Sequence, residues 1–103
     1  MIYVMATIEL KEGTRDAFLE AFRKVVPLVH AEDGCIEYAS AVDFPTAIPI
    51  QVPIRDHVVV IVEKWRDQSA LEAHAVAPHM TPYRESIKEY VVQITAQVLT
   101  PTG

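Results

Sequence analysis

Four stretches of this chain alternate apolar and polar residues, and the segments between them step by three and four. Met1–Leu10 is predicted as the first strand, with Ile2, Val4, Ala6, Ile8 and Leu10 on one face and Tyr3, Met5, Thr7 and Glu9 on the other. From Arg15 to about Asp33 the period changes. Phe18, Phe22, Val25 and Val29 are spaced four, three and four, which predicts one apolar stripe along a helix. Thr14 suits its N-cap, and Asp16 places a negative charge in the first turn. Pro27 inside the stripe removes the bond to the Arg23 carbonyl and predicts a kink. Gly34 stands where a helix ends in a left-handed residue.

Cys35–Asp43 reads as a second strand, with Ile36, Tyr38, Ser40 and Val42 alternating against Cys35, Glu37, Ala39 and Ala41. The thirteen residues Phe44–Asp56 contain Pro45, Pro49 and Pro53, which exclude a central strand. A connection of that length is predicted to lie near a pocket mouth or to cross to a partner chain. His57–Arg66 is the third strand: Val59, Ile61, Glu63 and Trp65 share a face with His57, and Val58, Val60 and Val62 form the other. Asp67 caps a short helix through Leu71 and His74 to Ala77, where Pro78 forces a break. A further helix runs to about Tyr90, with Thr81 and Pro82 as an alternative start. Val91–Leu99 is the fourth strand.

This order, strand, helix, strand, strand, helix pair, strand, predicts an α+β fold, the ferredoxin-like βαββαβ sandwich, as one domain over residues 1–103. Helices on one face of the sheet leave the other bare. That second face is still apolar in several strands, so a homodimer is expected to cover it.

Composition narrows the function classes. Nine Lys and Arg against fourteen Asp and Glu give a net charge of -5, with no basic cluster, which argues against nucleic acid or an anionic membrane as partner. Apolar runs such as Val58–Val62 are far shorter than the roughly 20 residues of a membrane span. The start of the chain shows no basic n-region or cleavage site, so a cytoplasmic protein is expected. Cys35 is the only cysteine, which excludes an intrachain disulfide. Its neighbours Glu32 and Asp33 disfavour a thiolate, so it reads as a small buried hydrophobe.

Glu32-Asp33-Gly34-Cys35-Ile36-Glu37-Tyr38, Glu63-Lys64-Trp65, Leu71-Glu72-Ala73-His74, Pro78-His79-Met80 and Tyr83 together resemble the antibiotic-biosynthesis monooxygenase family. Within it they resemble the small bacterial quinol monooxygenases. The likeness spans nearly the whole chain and includes Val26-Pro27 in the first helix. It implies a dimeric α+β barrel with one pocket per subunit between sheet and helices. It also implies oxidation of polyphenols to quinones with molecular oxygen, using no metal, flavin or haem. No Gly-rich dinucleotide fingerprint or phosphate loop is present.

Such chemistry needs a base, donors that hold a phenolate, and a dry aromatic pocket. Histidine is the natural base near neutral pH. His74 follows Leu71 by three, which aims it at the sheet side of its helix and makes it the preferred base. His79 is the second candidate. His30 at a helix end reads as structural, and His57 is uncommitted. His74 and His79 are five apart with a proline between, unlike the four-residue step of helical metal ligands, so no metal site is expected. Trp65, Tyr38, Tyr83, Met80 and Phe44 are the expected substrate-binding wall. Glu63 points with Trp65, and an ion pair with Arg66 or Arg84 would offset its burial.

Two alternatives share the fold: isomerisation of a small oxo compound, and a dimeric small-molecule-binding protein without turnover. Haem degradation, by enzymes whose fold this chain resembles, needs an Asn, Trp and His set around the porphyrin; the chain contains no asparagine, which argues against it.

Overall fold

The structure, a computed structural model, describes residues 1–103. Its elements run β1 (Ile2–Leu10), α1 (Arg15–His30), β2 (Cys35–Ala41), β3 (Val58–Trp65), α2 (Gln68–Ala75), α3 (Met80–Ile87) and β4 (Val91–Leu99). The strands form one antiparallel sheet in the order β2-β3-β1-β4, the ferredoxin-like arrangement that the element order predicts.

The predicted core faces hold. Val4, Ala6, Ile8 and Leu10 of β1 and Val59, Ile61 and Trp65 of β3 are buried against Phe18, Phe22, Val25 and Val29 of α1. α1 continues through Pro27 but ends at His30, short of Asp33. There the Glu32 N–H turns back to the Val29 carbonyl at 3.0 Å, and Gly34 follows at φ +83°. Thr14 caps differently from expectation: its hydroxyl donates back to the Lys11 carbonyl at 2.6 Å and leaves the helix N–H groups alone. Asp67 does cap α2, accepting the Ala70 N–H at 2.9 Å.

β2 departs from simple alternation. Cys35 pairs with Trp65 and Glu37 with Lys64, so Ile36 is an extra residue in a bulge. Ile36 swings out to solvent, and the inward residues become Cys35 and Tyr38, three apart. Tyr38 thereby lies opposite Glu63.

β4 is an edge strand. Its Ile94, Ala96 and Val98 pair with Ile8, Ala6 and Val4 and so share their face, yet they are exposed. The helices lie over β2, β3 and β1 and stop short of it. On the helix-free side, Tyr3, Met5, Val60 and Val62 are only partly covered.

Residues Phe44–Asp56 form no strand, as the prolines require. The Arg55 guanidinium clasps the Asp43 carboxylate through two bonds of 2.9 and 2.8 Å and closes the base of the segment. Its apolar residues face out, with Ile50 90% exposed. No helix is long and apolar enough to cross a membrane.

Candidate active site

The turn between α1 and β2 organises the site. Glu32 donates its N–H to Val29 and accepts the Cys35 N–H at its carbonyl. Arg66 then ties the turn to the β3–α2 junction, holding the Asp33 carboxylate at 3.0 and 3.1 Å while its own N–H donates to the Gly34 carbonyl. Gly34 has no side chain where one would collide. A Cβ built there would stand 2.6 Å from the Ala70 Cβ, so α2 packs directly on the turn.

That packing brings two histidines to one carboxylate. On α2, His74 lies one turn beyond Ala70, and both are buried. His74 Nδ1 is 3.1 and 3.0 Å from the two Glu32 oxygens. His79, in the turn that opens α3, places Nε2 2.8 Å from Glu32 Oε2. A carboxylate only accepts, so each facing ring nitrogen carries the proton. In a neutral imidazole the remaining nitrogen, Nε2 of His74 or Nδ1 of His79, is an acceptor.

Aromatic rings pack on the His74 side of this triplet. The His74 ring lies 4.6 Å from that of Trp65 and meets the Tyr38 ring edge-on at 5.4 Å. Phe22 stacks on Tyr38 at 5.2 Å and meets Tyr83 edge-on at 6.3 Å. Trp65 is wholly buried, and its indole N–H donates to Glu63 at 2.9 Å. The expected ion pair of Glu63 is absent. Arg66 is taken by Asp33 and Asp67, and Arg84 donates to the Ala75 carbonyl. Burial pushes the Glu63 carboxyl above its usual range, against the indole bond and the nearby His74, which pull it down. Burial likewise holds the Tyr38 and Tyr83 hydroxyls protonated far above the usual phenol range, with carboxylates adding to the effect. They remain hydrogen-bond donors at every working pH. Cys35 is half-buried, and burial with Glu32 and Glu63 raises its thiol, in line with an inert role.

The structure thus gathers Tyr38, Trp65, His74, His79, Met80 and Tyr83 near one point. Phe44 is not among them; it starts the long segment and is 77% exposed. His30 donates to the Tyr38 carbonyl at 3.1 Å, a structural bond, and His57 is exposed. Glu32 is the member that spacing did not single out. Its signals were present: an acidic residue in the helix-ending turn, inside one of the segments that carry the family resemblance, with two histidines needing acceptors.

Two clefts flank the cluster. A groove of about 580 Å³ between α1 and α3 is lined by His79 and Tyr83. A second, of about 410 Å³, lies against the turn and α2 and is lined by Glu32 and Arg66. His74 lines neither, and no residue of Phe44–Asp56 reaches either one, so the long segment is not at these mouths. The His79 side chain is 26% exposed against 9% for His74. A ligand in the groove therefore meets His79 first.

Residues 1–86 match the family model described as antibiotic biosynthesis monooxygenase. Over 103 residues the chain is 38% identical to the probable quinol monooxygenase YgiN of Escherichia coli K12, covering 98% of both. It superposes on SO0527 from Shewanella oneidensis with a TM-score of 0.76 and 26% identity, covering 95% of this chain and 87% of that one. Rv0793 from Mycobacterium tuberculosis gives a TM-score of 0.80 at 23% identity, covering 99% and 95%, a likeness of fold alone.

Proposed function

The chain belongs to the antibiotic biosynthesis monooxygenase family and is an oxidoreductase; on that premise we propose that it oxidises quinols or related polyphenols with molecular oxygen and no cofactor. The observation that carries this reading is the Glu32 carboxylate shared by His74 and His79, with His79 presented to the α1–α3 groove.

A phenol ordinarily loses its proton near pH 10, so an imidazole base needs help from groups that hold the phenolate. His79 Nδ1 accepts the proton, and Glu32 on the far nitrogen keeps the required tautomer and balances the charge that develops on the ring. Spacing alone favours His74 as base. The geometry favours His79, because His74 lies behind Glu32 and holds that carboxylate in place. The Tyr83 hydroxyl, kept protonated by burial, donates to the phenolate oxygen. Met80, Trp65 and Tyr38 keep the surroundings apolar. The deprotonated ring then supplies its own electrons. A diol and O₂ give a hydroxyquinone and water; one oxygen atom enters the ring, the other leaves as water, and the ring loses the four electrons that O₂ gains.

The reaction is assigned to a homodimer in the cytoplasm. The partly covered Met5, Val60 and Val62 face and the bare inner face of β4 support the dimer. Neither the isomerase nor the non-catalytic binder is favoured by the comparisons. The test is oxygen uptake by chelator-treated protein with a panel of hydroquinones, beside product absorbance and ¹⁸O₂ labelling. One labelled oxygen atom per product supports the reading. Binding of hydroquinones without oxygen uptake overturns it.

A further inference from the structure

The α1–α3 groove is longer than a ring needs. Along α1, Ala17, Ala21, Val25 and Leu28 advance by four, four and three residues, which is one helix face. Opposite them, Pro82, Ser86 and Tyr90 follow His79 at similar steps. The two walls run in opposite directions. His79, before α3, bonds Glu32 just beyond the C-terminus of α1, whereas the Tyr90 carbonyl, after α3, accepts the Lys11 N–H ahead of its N-terminus. The groove therefore has His79 at one end, and Ala17 with the Tyr90 ring at the other. Eleven steps of 1.5 Å from Ala17 to Leu28 make it about 16 Å long.

A bare one- or two-ring diol fills only the His79 end. Along the rest, Val25 is buried, and Ala17 and Ala21 keep the channel wide. The Ser86 hydroxyl is already spent on the Tyr83 carbonyl at 2.7 Å, and the charged Glu20 and Lys24 are exposed, with Glu20 bonded to Arg23. Beyond His79 and Tyr83, as far as Tyr90, no lining side chain offers a buried and unspent polar group. A volume of about 580 Å³ sits within the roughly 300–1,000 Å³ of small-molecule sites.

We propose that this groove binds a hydrocarbon chain carried by the aromatic diol, with the ring at His79 and Tyr83 and the chain laid along Ala21 toward Ala17 and Tyr90. The inference rests on the quinol reading above and names the substrate class more closely: an alkyl- or prenyl-substituted hydroquinone. The Lys24 and Glu20 stems flank the chain with their charged heads in water.

The experiment is anaerobic calorimetry of the full chain with 1,4-hydroquinones bearing linear alkyl chains of increasing length, below their micelle concentrations, followed by oxygen uptake with the same series. Full burial of a methylene is worth about fourfold, and a groove open on one side buries about half of it, so affinity should rise about twofold per methylene. The rise should level off once the chain reaches Tyr90, at one ligand per chain. Ala17→Trp should block the far end, weakening the longest homologues several-fold and leaving unsubstituted hydroquinone unchanged. Oxygen uptake with affinity independent of chain length overturns the groove and spares the quinol reading. Chain-dependent binding that Ala17→Trp abolishes, without oxygen uptake by any homologue, overturns the quinol reading and retains the groove. Chain-dependent binding that Ala17→Trp leaves intact also overturns the groove, since the chain then lies elsewhere.

Discussion

The indole N–H of Trp65 donates to the carboxylate of Glu63 at 2.9 Å, two residues back on the same inward face of β3. This bond is the only hydrogen bond the Glu63 side chain makes. Burial raises the Glu63 carboxyl, so the folded state holds its proton more tightly than the unfolded chain. Glu63 therefore favours folding in acid, and that contribution is lost as pH rises from about 4.5 through the raised value. Glu63→Gln keeps an oxygen for the indole and removes the titration. The variant's melting temperature should match wild type in acid, exceed it increasingly as pH rises through the raised value, and then hold that gap. Parallel melting curves across that range would refute the linkage.

Glu32 positions both imidazoles, so Glu32→Gln should act on turnover more than on binding. Its amide offers one acceptor where the carboxylate serves two rings. A fall in kcat of about 10²-fold with KM nearly unchanged is expected, together with a changed His tautomer pattern in ¹⁵N spectra. Glu32→Asp should restore part of both. Unchanged spectra beside reduced turnover would assign Glu32 another role.

His79→Ala should lower kcat by about 10²–10⁴-fold while circular dichroism stays native. His74→Ala should cost less turnover and more stability, because it empties a buried site against Trp65. Should both folded variants keep full turnover, histidine base catalysis is wrong.

Gly34→Ala tests the turn. A left-handed backbone costs an ordinary residue about 1–3 kcal/mol, and contact with the Ala70 Cβ adds to it. Urea unfolding should show that loss. In an Ala70→Gly background the same change should cost less, since only the backbone part remains. Equal cost in both backgrounds would mean that the close approach carries no energy.

Deleting Thr46–Val52 leaves the Asp43–Arg55 clasp and removes Ile48, Ile50 and Val52, three exposed apolar residues of the segment. If that segment crosses to a partner chain, the wild type is a dimer by light scattering at micromolar concentration and the deletion dissociates more readily. A monomeric wild type would defeat both statements.

Most of the fold was legible because it is periodic. β1, β3 and the α1 stripe repeat at two and at three to four residues, and burial follows those periods. The Ile36 bulge was not legible. One inserted residue has no compositional mark, yet it decides that Tyr38 faces inward beside Cys35. Glu32 escaped for another reason: its partners are 42 and 47 residues away, and only the packing of α2 on Gly34 brings them together. The Glu63 ion pair failed because a buried carboxylate took the nearest donor on its own strand.

β4 closes the sheet with nine residues, VVQITAQVL, that hold no charge, proline or glycine, and it is exposed along almost its whole length. Its outer edge offers unpaired N–H and C=O groups, and its composition suits stacking of identical strands. An isolated copy of this chain is thus the species most prone to aggregate. Solubility at high concentration, and yield on refolding, should therefore fall wherever that edge stays open to a second copy.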